Sequence, residues 1–226
     1  MKASDFFELP NSLAAFRAFF PADAPPWEWL RQIGPALEAR PYPLDPPKAP
    51  PGVQIEGRVH IDPSVTLPGH ATIIGPVWIC AGSEIRPGAF IRGNVIAGEG
   101  CVLGNSSEFK NCILMDGVQA PHFNYVGDSV LGNRAHLGAG AICSNLRLDR
   151  RDVAVRLPGG PVDTGLRKFG AILGDEAEVG CNAVLNPGTL LGRRSLVMPA
   201  IAFGGVLGSS MVAMVRQEVT IVARRN

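Results

Sequence analysis

The chain has 226 residues, 46% of them hydrophobic, with a formal net charge of +1. That length allows one full core or one domain with an appendage, and the near-zero charge gives no footing for nucleic acid or an anionic membrane surface. No apolar run approaches the ~18 residues a spanning helix needs, and the start, MKASDFFELP, has early acids and no apolar core of a signal peptide. Five scattered cysteines (Cys80, Cys101, Cys112, Cys143, Cys181) form no C-x-x-C pair, as expected of reduced thiols in a cytoplasmic protein. The 27 glycines and 20 prolines, beside this apolar content, indicate a turn-rich architecture.

In chain order, SDFFELPNSLAAFRAFF and PPWEWLRQIGPALEAR are expected to form two short amphipathic helices. Ser4 or Asp5 is positioned to cap the first and Pro25-Pro26 to open the second. With the stiff connector PYPLDPPKAPPG they make a helical cap and linker over residues 1–50, expected to cover an open end of the domain that begins at residue 51.

From residue 51 a period of six takes over. Every sixth position from Ile55 reads Ile55, Ile61, Leu67, Ile73, Ile79, Ile85, Ile91, Ala97, Leu103, Phe109, Met115, Pro121, apolar in eleven of twelve cases. Four places on lies a small or β-branched residue: Val59, Val65, Ala71, Val77, Ser83, Ala89, Val95, Cys101, Ser107. The rhythm slips near residue 121, resumes in a new phase at Leu131, Leu137 and Cys143, and continues from Leu173 to Phe203. Neither 3.6 nor 2 explains a period of six, whereas a parallel β-helix does: each hexad is a short strand and a corner, with the apolar residue inward. The coil is expected over 51–208. Between about 144 and 170 the hexads fail, and Pro-Gly-Gly-Pro marks a turn, so an excursion in the form of a hairpin is expected to project there. Residues 209–226 alternate as a β-hairpin turning near Gln217-Glu218.

The slot after each inward residue holds Arg86, Arg92, Lys110, His122 and, in the second phase, Lys168. Arg92 and Lys110 are one 18-residue coil apart and should stack. At a strand spacing of about 4.8 Å two such charges repel by roughly 3–4 kcal/mol at an effective dielectric near 20, and a phosphate between them would reverse the sign. The bland alternative is a solvated basic edge. His122 lies two-thirds of a coil further and so falls on another corner; it joins the same site only through the phase slip or a neighbouring subunit. Glu108, Tyr125 and Asn145 supply nearby polar partners of the kind a general base and its substrate need.

The stretch GNSSEFKNCILMDGVQAPHFNYVGDSVLGNRAHLGAGAICSN, Gly104 to Asn145, resembles the acetyltransferase half of bifunctional N-acetylglucosamine-1-phosphate uridyltransferase/glucosamine-1-phosphate acetyltransferase. It resembles still more the archaeal sugar-phosphate nucleotidyltransferases with amino-sugar acetyltransferase tails, which share NYVGDS, the SNLR step and something close to GLRKFGAILGD. The resemblance implies an all-β, left-handed parallel β-helix. It implies acetyl-CoA as acyl donor, no metal requirement, a small-molecule amino-sugar phosphate or nucleotide-linked amino sugar as acceptor, and a homotrimer with intersubunit sites. His122 then matches the base, Arg92 and Lys110 the acceptor-phosphate residues, Tyr125 an acceptor contact and Lys168 a family lysine. Asn145 matches the acetyl-transfer end, the Ala139 backbone N–H the oxyanion contact, and Cys181 and Pro199 positions along the coenzyme. His136 stands where the bacterial proteins have a sugar-contacting asparagine, Leu146 replaces a tyrosine, and Cys181 replaces a serine. The Gly-rich signature of the nucleotidyltransferase domain does not occur in these residues, so no nucleotidyl transfer is expected of them.

Two other readings stand beside this one. A zinc carbonic-anhydrase-like protein would use His60, His70, His122 and His136, but no H-x4-H spacing occurs. A non-catalytic binding or assembly module would keep the scaffold alone.

Overall fold

The computed structural model describes residues 1–43, 48–157, 159–216 and 219–224. Strands of two to eight residues wind into a parallel β-helix with three faces. The first face runs from Val53–Glu56 through Ala71–Ile74, Phe90–Ala97, Glu108–Leu114, Tyr125–Leu131, Ile142–Cys143 and Val184–Leu185 to Ala202–Phe203. The three long strands among these turn the corner unbroken and supply rungs of the second face, which continues through Ala171–Leu173, Thr189–Leu191 and Val206–Leu207. A separate seven-stranded sheet, from Glu84–Ile85 to Val212–Ala213, is the third face. One core fills the interior, lined by Ile73, Ile79, Ile85, Ile91, Leu103, Phe109, Leu131, Leu137 and Leu173. The expected small positions also point inward: Ser83 and Ser107 are 1% exposed, and their hydroxyls accept the N–H groups of Cys101 and Asn124 one coil on.

The slip of the repeat lies elsewhere than near residue 121. Arg92 pairs with Lys110, but Val95 pairs with Cys112, and Gly127 pairs with Lys110. Two coils thus lose one residue each, at the corner carrying Asn111 (φ 47°) and Asp128 (φ 47°). Leu114 and Ala120 consequently enter the interior core in place of Met115 and Pro121, and Met115 packs outside, beneath the N-terminal segment.

That segment does not close an end of the coil. It lies along the second face, where Phe7, Leu13, Phe16, Phe20, Trp29 and Ile33 join the outward side chains Ile96, Ile113, Val130, Ile172 and Leu190 in a second core. The first expected helix is a 3-10 turn, Ala3–Asp5, followed after Pro10 by the 3-10 helix Asn11–Phe19. Leu13, Phe16 and Phe19, three apart, align on one side of such a helix. The cap position is Lys2, whose N–H is bound by the Asp5 carboxylate at 2.7 Å, in place of Ser4 or Asp5. Pro25-Pro26 does open the second, the 3-10 turn Pro26–Glu28 running into the α-helix Trp29–Glu38. Polar clamps at one corner fix the segment: Asp175 N–H to Phe6 O (2.9 Å), Asn133 Nδ2 to Glu8 O (2.8 Å) and Ser12 Oγ to Asp116.

The excursion is an antiparallel hairpin, Val153–Leu157 with Gly160–Leu166. It does not project; Val153 and Val155 are buried in the second core, and Arg31 donates to Thr164 O at 2.8 Å. At the C-terminus, Val212–Ala213 pair in parallel with Leu196–Val197 and extend the coil, so they form no hairpin strand. The expected turn at Gln217-Glu218 lies outside the described residues. Among the described residues no helix is long and apolar enough to cross a membrane.

Candidate active site

The residues singled out from the sequence fall on two corners, one at each edge of the first face. At the corner between the first and second faces, Arg92 and Lys110 sit side by side on adjacent rungs, as their spacing required. They do not face each other as bare charges. Arg92 binds Glu108 Oε1 through Nε (2.7 Å) and a terminal nitrogen (2.6 Å), and Lys110 Nζ binds both Asp128 oxygens (3.0 and 3.2 Å). The repulsion between the cations is therefore offset inside the chain, where the sequence reading placed an anion or solvent.

Asp128 was not among the sequence candidates, yet it organises this corner. It is 5% exposed and also accepts Asn111 Nδ2 (2.9 Å) and Asn145 Nδ2 (2.6 Å). Asn145 donates in turn to the Tyr125 hydroxyl at 3.0 Å. The Tyr125–Asn145 bond passes over Gly127, the next residue in the Arg92–Lys110 column. A Cβ there would stand 2.5 Å from the Tyr125 oxygen and 2.8 Å from Asn145 Nδ2, so the crossing requires glycine. Burial, then the Glu108 carboxylate, pushes the Tyr125 hydroxyl above its ordinary pKa, so it stays a neutral donor. Lys168 is exposed and bridges Leu146, while Phe169 N–H binds Asn145 O (2.9 Å). The hairpin is thus inserted at this same corner.

The other corner joins the third face to the first. His122 pairs with Asn105 and is exposed. Gly140 N–H binds His122 O (3.0 Å), Asn182 N–H binds Ala139 O (2.8 Å) and Ala200 N–H binds Cys181 O (2.9 Å). His122, Ala139, Cys181 and Pro199 consequently form one column on successive coils. Among the described residues no acceptor receives the Ala139 N–H, and no side chain hydrogen-bonds the His122 ring. Glu108 is bound to Arg92 and does not orient His122. His136 lies on the third face between Gln119 and Glu178, three residues before Ala139. Phe123, beside His122, is 60% exposed at φ 53°. His60 stacks on Trp78 (ring centroids 3.8 Å), on the first coils, away from His122.

The two columns are separated by the width of one face. Five residues from His122 to Gly127 span at most ~18 Å. Within one chain, then, Arg92, Lys110, Tyr125, Asn145 and Lys168 gather at one corner, and His122 with Ala139, Cys181 and Pro199 at another.

Comparison with known proteins identifies relatives of the chain. Residues 73–197 match the family model described as GMPPB C-terminal domain. A "Bifunctional protein GlmU" of Methanococcus vannielii is 40% identical over 145 residues, covering 64% of this chain and 35% of that protein. A "Bifunctional sugar-1-phosphate nucleotidylyltransferase/acetyltransferase" of Sulfurisphaera tokodaii is 33% identical over 147 residues, covering 65% and 37%. The chain thus spans about a third of the length of these relatives. An "Uncharacterized acetyltransferase YaiX" of Escherichia coli O6:K15:H31 is 32% identical over 162 residues, covering 72% of this chain and 70% of that one. Among solved structures, the acetyltransferase domain of PglB from Neisseria gonorrhoeae FA1090 in complex with acetyl coenzyme A overlaps with a TM-score of 0.41 at 19% identity, over 61% of this chain and 53% of that chain. The family match over more than half of the chain, with its repeat and its coil, makes this protein a member of the GMPPB C-terminal domain family of hexapeptide-repeat proteins.

Proposed function

We propose that the protein is an acetyl-CoA-dependent N-acyltransferase acting on an amino-sugar phosphate or a nucleotide-linked amino sugar, working as a cytoplasmic homotrimer. The observation that carries the reading is the sorting of candidates into two columns of different chemistry. One column offers a solvent-facing imidazole and an unengaged backbone N–H. The other offers hydroxyl, amide and cationic groups suited to a sugar and its phosphate. A single chain keeps them a face apart. The second face is occupied by the N-terminal segment, so the free corner bearing His122 is the one left to meet a second copy.

In this reading the coenzyme lies along His122, Ala139, Cys181 and Pro199, and the acceptor lies against the partner's opposite corner. The acceptor ammonium gives one proton to solvent, and His122 takes a second from the amine nitrogen as it attacks the thioester carbonyl carbon. The Ala139 N–H stabilises the oxyanion, and collapse expels the coenzyme thiolate, which takes from His122 the proton removed from the amine. Tyr125 and Asn145 hold sugar hydroxyls; Arg92, with Lys110 and Lys168 near it, meets the phosphate. His136 lines the acceptor pocket from the His122 side.

The relatives' printed names, with acetyltransferase and sugar-1-phosphate activities, support this assignment. The test is release of coenzyme thiol from acetyl-CoA with a panel of amino-sugar phosphates and nucleotide-linked amino sugars. Turnover by wild type and not by His122→Ala supports it; no turnover and no coenzyme binding leaves the assembly-module reading.

A further inference from the structure

We infer that Asn124 is a positioning residue that sets the distance between the His122 base and the Ala139 oxyanion donor; this rests on the acyl-transfer reading above. Asn124 is 3% exposed, inside the corner behind His122. Its Oδ1 accepts the His122 backbone N–H at 3.1 Å. Its Nδ2 donates to Gly138 O at 2.8 Å and to Ala141 O at 3.3 Å, the two carbonyls that bracket the turn carrying Ala139. The Asn124 N–H binds Ser107 Oγ at 2.9 Å, one coil earlier. One side chain thus ties the base-bearing turn to the next coil's turn, with its carbonyl and both amide donor directions engaged.

The corner does not need this amide in order to fold. The equivalent inward positions on other coils include Ala89, Ser107, Ala141 and Ala183, all buried, and none carries an amide. A buried amide is tolerated only when fully bonded and offers little net stability over alanine. It appears on the one coil where a side chain beside the corner is offered for chemistry. A base and an oxyanion donor act on the same tetrahedral centre, so a small change in their separation lowers the rate and leaves ground-state binding intact.

The experiment compares wild type, Asn124→Ala and Asn124→Asp. Alanine is the residue other coils use here, and aspartate keeps the bond to His122 while losing both donors to the Ala139 turn. Both variants are expected to lose about 100-fold in kcat, with KM for acetyl-CoA and acceptor unchanged within about twofold. Amide hydrogen exchange should quicken at Gly140 and Ala141 and stay the same at Asn182 and Ala183. A variant that keeps the wild-type kcat, or that loses activity only in proportion to its unfolded fraction, overturns the inference and leaves acyl transfer standing. A wild type without turnover overturns the acyl-transfer reading first and the inference with it.

Discussion

Asp128 binds the Lys110 ammonium at 3.0 and 3.2 Å while only 5% exposed, so this cation is held by a carboxylate within its own chain. Asp128→Asn keeps a residue that tolerates the left-handed backbone at φ 47° and removes the charge. It leaves Lys110 without its counter-charge and sets an amide against the Asn145 amide. The expected cost is about 1–3 kcal/mol, read by urea unfolding, with a raised KM for the acceptor and no change for acetyl-CoA. Unchanged acceptor KM would show that the network serves the fold alone.

Arg92 and Glu108 are related differently, because both are partly exposed, at 40% and 31% of their side chains. Such a pair contributes little to stability, but Glu108 competes with any phosphate for the guanidinium. Glu108→Gln should therefore lower the KM of a phosphorylated amino-sugar acceptor several-fold and leave that of the unphosphorylated sugar alone. Equal effects on both acceptors would remove the phosphate from this corner.

The cysteines divide by environment. Cys181 is exposed on the His122 column; Cys80, Cys101, Cys112 and Cys143 are buried. Burial raises the thiol pKa of Cys80 to about 11 and of Cys101 and Cys143 to about 12, and pushes Cys112 well up. These groups bind their protons more tightly folded than unfolded, so the stability they contribute is complete below the ordinary thiol pKa of 9.0 and is lost as pH rises through about 11–12. A disulfide reagent at pH 8 should modify one thiol in the native protein and five after unfolding, and acetyl-CoA should slow the native reaction. Fast reaction of several native thiols would contradict the packing; indifference to acetyl-CoA would contradict the placement of the coenzyme.

Much of the coil was legible because its interior admits few residue types. The period of six named the inward side chains up to Phe109, and the 18-residue spacing put Arg92 beside Lys110. Counting failed where both sides of a strand are buried. In Cys112-Ile113-Leu114-Met115 every residue is apolar and 0% exposed, so periodicity cannot tell Leu114 from Met115. The same doublets carry a second signal. Ile96-Ala97, Ile113-Leu114, Val130-Leu131 and Ile172-Leu173 are buried on both faces, as strands are only when covered. They place the N-terminal segment along the side of the coil. Asp128 and Asn124 escaped because their roles lie in bonds to residues a coil away, and Asn124 falls in neither phase of the counted repeat.

The N-terminal segment is expected to be a structural layer without a chemical role. Trp29 is 1% exposed and contacts the Phe7 and Phe20 rings at centroid distances of 5.0 and 5.1 Å. Trp29→Ala should cost about 3–5 kcal/mol, whereas His122→Ala, at an exposed corner, should stay within about 0.5 kcal/mol. Thermal unfolding of the two variants separates these effects. A mild Trp29→Ala would mean that the segment is loosely laid on the coil.

In the proposed enzyme the two halves of the site stand on different corners of one chain and meet only between copies. Mixing tests this most directly. His122→Ala and Arg92→Ala proteins, each inactive below the acceptor KM, are unfolded together in equal amounts, refolded and assayed. In a closed ring of three, about one quarter of the interfaces then pair an intact His122 with an intact Arg92, and activity should return to about that fraction of wild type. A mixture as inactive as its two components, in refolded protein of native mass and coenzyme affinity, would contradict the shared site.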